Sequence, residues 1–167
     1  CFITKEHSKL LNKLCTPIIV NDPYFAYALT TNFLFPIQKS NSLVNAHSNI
    51  HETAIIGKKV QINYNVSIKE NTKIGDNSIL LDNVVIGPNV VLGTNSIIMS
   101  SCVISNSFIG KNCLIKPGSK IGEKGFGFTP DTKVEIKHIG NVIVGNNVEI
   151  GSNTTIDQAT LHSTVIS

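Results

Sequence analysis

The chain has 167 residues, a net charge of +3, and charged side chains at only 15% of its positions. This length can form one good hydrophobic core. The weak positive charge excludes the strongly basic field that nucleic-acid binding requires. All of the basic residues are Lys, so any phosphate group would be held by Lys or by backbone N–H groups. No apolar run is long enough to predict a transmembrane segment.

Residues 1–43 do not follow the pattern of the rest of the chain. The predicted elements, in chain order, are a short helix (4–14), a short buried strand (17–20) and a second helix (24–35). Asn21 or Asp22 can cap the second helix, and Pro36 ends it. These elements bury too little surface for a core of their own, so we interpret 1–43 as the remnant of a small α/β domain.

From residue 44 onward, an aliphatic residue stands at every sixth position. The series has eleven members: Val44, Ile50, Ile56, Ile62, Ile68, Ile74, Leu80, Ile86, Leu92, Ile98 and Ile104. A period of six fits neither a helix nor a simple strand alternation, and it is typical of a hexapeptide-repeat solenoid. The residue four positions further on is nearly always small or β-branched. We therefore predict an all-β parallel β-helix over 44–167, with three hexads in each triangular coil.

Asparagine marks the corners of the predicted coils. It stands three residues after the aliphatic position in six successive repeats: Asn65, Asn71, Asn77, Asn83, Asn89 and Asn95. Asn tolerates the left-handed backbone conformation that a tight corner demands. The column of Asn is therefore predicted to be structural and not a ligand-binding ladder.

The repeat slips by one residue at Phe108 and is interrupted by an insertion at 122–143, after which it resumes at Val144. Insertions in solenoids loop out on one face, often the binding face. Within it, Phe126 and Phe128 alternate with glycines and can line an apolar groove for a fatty chain. The alternative is a looped-out excursion that is held by its own Phe side chains.

Histidines and cysteines provide few further candidates. We expect His47 and His51 to face solvent. They lie on the first coil and His138 lies in the insertion, so their spacing argues against a zinc site formed by the three. His138, within the insertion, is a candidate for substrate binding. The four Cys show no metal-ligand spacing, and Cys102 and Cys113 fall at small core positions of the repeat. Free core thiols and the absence of a signal peptide indicate a cytoplasmic protein.

Asp157 stands directly after an aliphatic position, where a small residue is usual. Its carboxylate can pair with a cation across a subunit boundary, or it can simply be solvated at a corner.

Two stretches outside the regular repeat resemble the UDP-3-O-acylglucosamine N-acyltransferases of lipid A biosynthesis. One runs from Ile121-Gly-Glu-Lys-Gly-Phe-Gly-Phe through Val144-Gly-Asn-Asn-Val-Glu-Ile-Gly-Ser-Asn-Thr-Thr-Ile-Asp157. The other is Val20-Asn-Asp-Pro-Tyr-Phe-Ala-Tyr-Ala28, which is similar to the Asn-Pro-Tyr segment of that family's uridine-binding N-terminal domain. Hexads are shared by many acyltransferases, so these two segments in this order carry the resemblance.

The resemblance implies a left-handed parallel β-helix and a homotrimer with active sites between subunits. It implies transfer of an R-3-hydroxyacyl chain from acyl carrier protein to the 2-amino group of UDP-3-O-acylglucosamine, with no cofactor. A histidine base would take the proton of the attacking amine. Backbone N–H groups would stabilise the oxyanion.

The resemblance also implies candidate substrate-binding residues: Asp22, Tyr24, Phe126, Phe128, His138 and Asp157. Asp22 replaces the family's Asn, and Tyr24 is the candidate for stacking on uracil. The family's catalytic His lies in a Gln-Ile-Ala-His-Asn segment beyond Ser167, so no catalytic residue is assigned. His162 falls where the family has an acidic residue and does not inherit that role. We therefore expect an inactive fragment that lacks both ends.

Two other functions fit the same repeat. The first is another hexapeptide acyltransferase, for O-acyl or acetyl transfer, which would be loaded by acetyl-coenzyme A and not by acyl carrier protein. The second is a non-catalytic trimeric β-helix scaffold, which would bind a UDP-sugar without turnover.

Overall fold

The computed structural model describes all 167 residues and divides into two compact units, residues 1–38 and residues 39–167. The division lies a few residues before the position expected from the sequence. The intervening residues belong with the solenoid because they are bonded to it. Ser40 Oγ donates to the carbonyl of Lys59 at 2.6 Å, and the backbone N–H of Asn41 donates to Gln61 Oε1 at 3.0 Å.

The first unit contains four short elements: β1 (Phe2–Ile3), a 3-10 helix (His7–Leu10), β2 (Ile18–Ile19) and α1 (Pro23–Leu34). Helix α1 confirms the prediction, including its cap: the Asp22 carboxylate accepts the N–H of Phe25 at 2.9 Å. The helix predicted over 4–14 is wrong beyond the 3-10 turn. That turn has no buried residue, and a helix without a packed face has little to stabilise it.

The strand predicted at 17–20 forms, but its predicted burial is wrong. Ile18 and Ile19 are 52% and 50% exposed. Strand β2 pairs in parallel with β1 alone, in a two-stranded sheet. So small a sheet provides little surface against which either side chain can be buried.

The second unit is a parallel β-helix, as the hexads predict. Its strands are β3 (Asn49–Ile50), β4 (Ile55–Ile56), β5 (Gln61–Ile62), β6 (Ser67–Ile68), β7 (Lys73–Ile74), β8 (Ile79–Leu80), β9 (Val85–Ile86), β10 (Val91–Leu92), β11 (Ile97–Ile98), β12 (Val103–Ile104), β13 (Ser107–Ile109), β14 (Leu114–Ile115), β15 (Lys120–Lys124), β16 (Asn141–Val144), β17 (Glu149–Ile150), β18 (Thr155–Gln158) and β19 (Ser163–Ile166).

These strands stack into three parallel sheets, and each coil gives one strand to each sheet. Sheet 1 is β3-β6-β9-β12-β15-β18, sheet 2 is β4-β7-β10-β13-β16-β19, and sheet 3 is β5-β8-β11-β14-β17. The aliphatic position of each hexad points inward and is nearly fully buried from Ile62 to Ile121. Burial of this continuous apolar column is the main stabilising contribution to the coils.

The corners of the coils are built as predicted. All six Asn of the predicted column have positive φ, between 55° and 61°. Their side chains also bond along the stack: Asn77 donates to Asn95 at 3.2 Å and Asn95 donates to Asn112 at 3.2 Å. Asn112 in turn donates to Asn147 at 3.1 Å. The Asn ladder is therefore a structural device that continues past both irregularities of the repeat.

Strand pairing confirms how the repeat absorbs its two irregularities. Leu92 is in register with Ile109, one residue earlier than the regular repeat would place it. Ile109 is in register with Val144, so residues 125–140 loop out between two neighbouring coils, whereas 122–124 and 141–143 belong to β15 and β16. The core continues on either side of the insertion without a break.

Cys102 and Cys113 are buried free thiols, as predicted. Their S–H groups donate to the carbonyls of Lys116 and Gly145, at 3.1 Å each. Burial raises the pKa of the Cys102 thiol, which keeps it protonated and unreactive. The chain has no helix of the length and apolarity that crossing a membrane would require.

Candidate functional site

The insertion is an ordered hairpin rather than an irregular loop. It leaves strand β15 after Lys124 and re-enters at β16, which begins at Asn141. Phe128 and Glu135 form an antiparallel bridge. The N–H of Ile136 donates to the carbonyl of Gly127 at 2.9 Å, and further bonds close the turn at the tip. The hairpin gives the segment a defined shape outside the solenoid core.

The two phenylalanines lie on the first arm of this hairpin, residues 125–129, which we call the outer arm. Their rings contact each other. Their ring centroids are 5.1 Å apart and their planes are at 67°, an edge-to-face arrangement that aromatic pairs favour. Phe126 is 91% exposed and Phe128 is 44% exposed. Phe126 therefore does not hold the loop down as a buried anchor would. Three other apolar side chains of the hairpin are also exposed: Val134, Ile136 and Ile139.

His138 lies on the returning arm and faces the outer arm. A Cβ placed on Gly125 would be 2.8 Å from Nε2 of His138, so the ring packs directly against that glycine. Nδ1 of His138 is buried and has no hydrogen-bond partner within the chain. The backbone carbonyl of His138 accepts a 2.7 Å hydrogen bond from Nε2 of Gln158. His138 therefore packs beside Gly125 and Gly127, the two glycines that alternate with Phe126 and Phe128.

Gln158 is the residue of this site that the sequence reasoning missed. It is only 5% exposed and joins the last strand of sheet 1 to the insertion. Strand alternation could have revealed it, because Gln158 stands two residues after the inward-facing Ile156.

Asp157 is exposed and adjacent to a second carboxylate. It is in register with Glu123 across β15 and β18, beyond an irregularity between Ile121 and Glu123. Gly122, at this irregularity, has a φ of 80°, and a Cβ there would be 1.7 Å from the carbonyl oxygen of Ser105. Only glycine fits this position. The backbone carbonyl of Asp157 accepts from Thr164 Oγ1 at 2.8 Å, which leaves its carboxylate directed to solvent.

Charged groups on the hairpin are arranged around Glu135. The carboxylate forms a salt bridge with Lys137. The hydrogen bond and charge of Lys137, followed by the charges of Lys124 and His138, lower the pKa of Glu135. This carboxylate is exposed, so the interaction is screened by solvent.

Asp22 and Tyr24 belong to the first unit. Asp22 is occupied as the N-cap of α1, and Tyr24 is 88% exposed. The Tyr24 ring is accessible for stacking, whereas the Asp22 carboxylate already serves the helix.

The remaining histidines do not converge on one place. His47 stacks on Tyr64 at 6.3 Å, and Nδ1 of His51 bonds Thr53 Oγ1 at 2.9 Å. Both face solvent, as predicted, and His162 is also exposed. No group of three His, Cys, Asp or Glu side chains is placed to hold a metal ion.

An apolar column runs along the outside of sheet 2. The outward side chains in register are Ile55, Lys73, Val91, Phe108, Ile143 and Val165. Ile55, Phe108, Ile143 and Val165 are exposed. The exposed Lys73 separates Ile55 from the others, and the four consecutive apolar residues from Val91 to Val165 form the surface. Exposed apolar surface of this kind marks an interaction surface.

The coils resemble those of hexapeptide-repeat transferases. The family model for the bacterial transferase hexapeptide (six repeats) matches residues 71–106. Within that class, the sequence matches the UDP-3-O-acylglucosamine N-acyltransferases, the family indicated by the non-repeat segments.

The match to these relatives extends well beyond the hexads. The chain is 51% identical over 168 aligned residues to UDP-3-O-acylglucosamine N-acyltransferase 2 of Legionella pneumophila strain Paris, covering 99% of this chain and 49% of that protein. It is 49% identical over 151 residues to the UDP-3-O-acylglucosamine N-acyltransferase of Granulibacter bethesdensis, covering 89% of this chain and 44% of that protein. The chain thus spans about half the length of the curated relatives it matches.

Proposed function

We propose that the protein to which this chain belongs transfers an R-3-hydroxyacyl group from acyl carrier protein to the 2-amino group of UDP-3-O-acylglucosamine, in lipid A biosynthesis. The observation that carries this proposal is the extent of the sequence match. It covers 99% of the chain and therefore includes the first unit and the insertion. These non-repeat segments would not be retained in an unrelated hexapeptide transferase.

The chemistry is an amine attack on a thioester. The nitrogen of the 2-amino group forms a bond to the thioester carbonyl carbon, and a general base takes the proton that the nitrogen loses. Collapse of the tetrahedral intermediate breaks the carbon–sulfur bond, and the thiol of the carrier leaves with a proton. Backbone N–H groups would stabilise the oxyanion. The reaction consumes no cofactor. We place the general base outside residues 1–167.

The exposed apolar side chains of the hairpin support a role in holding the acyl chain. Phe126 and Phe128 provide an exposed aromatic surface, and a fatty chain gains free energy when it leaves water for such a surface. Asp157, with its solvent-directed carboxylate, is placed to meet a cationic group. Tyr24 is a stacking partner for uracil.

The apolar column of sheet 2 supports a homotrimer. Three copies that bury this column against one another would remove Phe108 and its neighbours from water, and would place active sites at subunit boundaries. Replacing Phe108 with Asp would put a charge in that contact. We expect light scattering to give the mass of three copies for the full-length protein and a lower mass for Phe108→Asp. A wild-type monomer would contradict the homotrimer.

The test of function compares donors on the full-length protein. We expect amide formation on UDP-3-O-acylglucosamine, followed by mass spectrometry, with an R-3-hydroxyacyl carrier protein and not with acetyl-coenzyme A. Turnover with acetyl-coenzyme A alone would indicate an acetyltransferase, and UDP-sugar binding without turnover would indicate a scaffold. The 167-residue chain by itself should show no turnover. All of this chemistry fits a cytoplasmic protein with reduced thiols.

A further inference from the structure

His138 fills a space that the outer arm of the hairpin leaves open for it. A Cβ on Gly125 would lie 2.8 Å from Nε2 of the ring, closer than real Cβ atoms approach, and 3.0 Å from Cδ2. At Gly127 the situation differs. A Cβ there would lie 3.6 Å from Cε1 of His138 and 3.5 Å from Cβ of Ile136, which is ordinary van der Waals contact. The His138 ring therefore packs tightly against Gly125 and leaves room for a methyl group at Gly127.

The segment that carries His138 is fixed to the solenoid. Gln158 holds the His138 carbonyl at 2.7 Å. The next two residues continue the attachment, with Ile139 N–H donating to Thr160 O at 2.9 Å and Gly140 N–H donating to Ala159 O at 3.0 Å. The returning arm is thus a firm base, and the imidazole extends from it to the outer arm.

Phe126 has no comparable support of its own. It is 91% exposed, and the aromatic ring that contacts it, Phe128, belongs to the same arm. Nothing beneath the Phe126 ring determines its direction, so its direction must follow from the backbone at residues 125–127. The imidazole of His138 is what packs against that backbone.

We propose that His138 is a positioning residue: its ring fixes the backbone around Gly125 and so orients Phe126 and Phe128 for binding an acyl chain. Only the identity of the ligand rests on the proposed function. The ring acts by packing and takes no part in proton transfer. An amide side chain of similar reach can therefore replace it, whereas a methyl group cannot.

The first test is a double-mutant cycle with a matched control. Binding of (R)-3-hydroxydecanoate to the full-length protein is measured by displacement of a fluorescent fatty acid. The melting temperature of every variant is also recorded. Gly125→Ala should weaken binding at least ten-fold by displacing the ring, and His138→Ala should do the same by removing it. In the His138→Ala background, Gly125→Ala should cause no further loss. Gly127→Ala and His138→Gln should bind within about three-fold of wild type.

Phe126→Ala separates failure of this inference from failure of the proposed function. If Phe126→Ala loses binding while His138→Ala and Gly125→Ala bind normally, the positioning role is overturned and the acyl site stands. If Phe126→Ala also binds normally, the hairpin is not the acyl site. Amide hydrogen exchange then decides the positioning role. His138→Ala should speed exchange at 126–128 at least ten-fold, with the regular coils unchanged, and unchanged exchange there would overturn it.

Discussion

The regular coils and the insertion hairpin are built in opposite ways. In the coils, one physical solution is repeated: an inward aliphatic, an inward small residue and a left-handed Asn corner. The hairpin has no repeating unit, and several of its large apolar side chains face solvent. The buried column stabilises the coils, whereas the exposed apolar side chains of the hairpin contribute little to stability and are free to contact a ligand.

The largest effect should come from removing a core side chain. Ile104 is fully buried, so Ile104→Ala should lower the free energy of unfolding by about 2–5 kcal/mol. Phe126→Ala removes a larger side chain that is already in water, and should cost less than about 0.5 kcal/mol. Denaturant unfolding measures both. Equal decreases in the free energy of unfolding would show that the hairpin stabilises the protein as much as the solenoid core does.

The next effect concerns the glycine at which β15 leaves the regular coil. Gly122→Ala should destabilise by about 3 kcal/mol, since a Cβ would overlap the Ser105 carbonyl and φ is positive. Gly127→Ala, within the hairpin, has room for its methyl group and should leave the melting temperature nearly unchanged. Equal melting temperatures for the two variants would show that the close approach of Gly122 to the preceding coil does not restrict which residue fits there.

A smaller effect separates the two roles of the corner Asn. Asn95 has a φ of 58° and bonds both neighbours in the ladder. Asn95→Ala should cost roughly 1–2 kcal/mol, because Ala is strained in this conformation. Asn95→Gly removes only the exposed amide bonds and should cost less. An equal cost for the two variants would assign the stability to the ladder and not to the backbone.

The smallest expected effect is an increase in stability. Thr72 is fully buried and its hydroxyl has no hydrogen-bond partner, so Thr72→Val should stabilise by about 1 kcal/mol. Ser78 is equally buried, but its hydroxyl donates to the carbonyl of Gly93 at 3.0 Å. Ser78→Ala should therefore destabilise by about 1 kcal/mol. Thermal melts of the two variants should shift in opposite directions.

The coils could be predicted from the sequence because their physics is periodic. A six-residue spacing identifies the inward positions, and Asn identifies the corners, without knowledge of any contact. The one-residue slip at Phe108 was also visible, since the pattern resumes with Ile109 in a new register.

The hairpin and the first unit could be predicted only in part. The sequence indicated Phe126, Phe128 and His138 as candidates, but not that the imidazole lies against Gly125, because that contact depends on a turn with no periodic signal. Gln158 was missed although strand alternation from the inward-facing Ile156 places it at an inward position. In the first unit, the Asp22 cap was visible as a local pattern, whereas the exposure of Ile18 and Ile19 depends on which strands pair, and that is not a local property.

The central claim is that the hairpin, and not the regular coils, binds the acyl chain. Acyl-chain binding by variants that lack aromatic rings in either region tests it most directly. Affinity for (R)-3-hydroxydecanoate is measured for the Phe126→Ala/Phe128→Ala double variant and for Tyr64→Ala, which removes an exposed ring from a regular coil. If the hairpin is the acyl site, the double variant should lose binding at least ten-fold and Tyr64→Ala should bind as wild type does. Normal binding by the double variant would contradict the account.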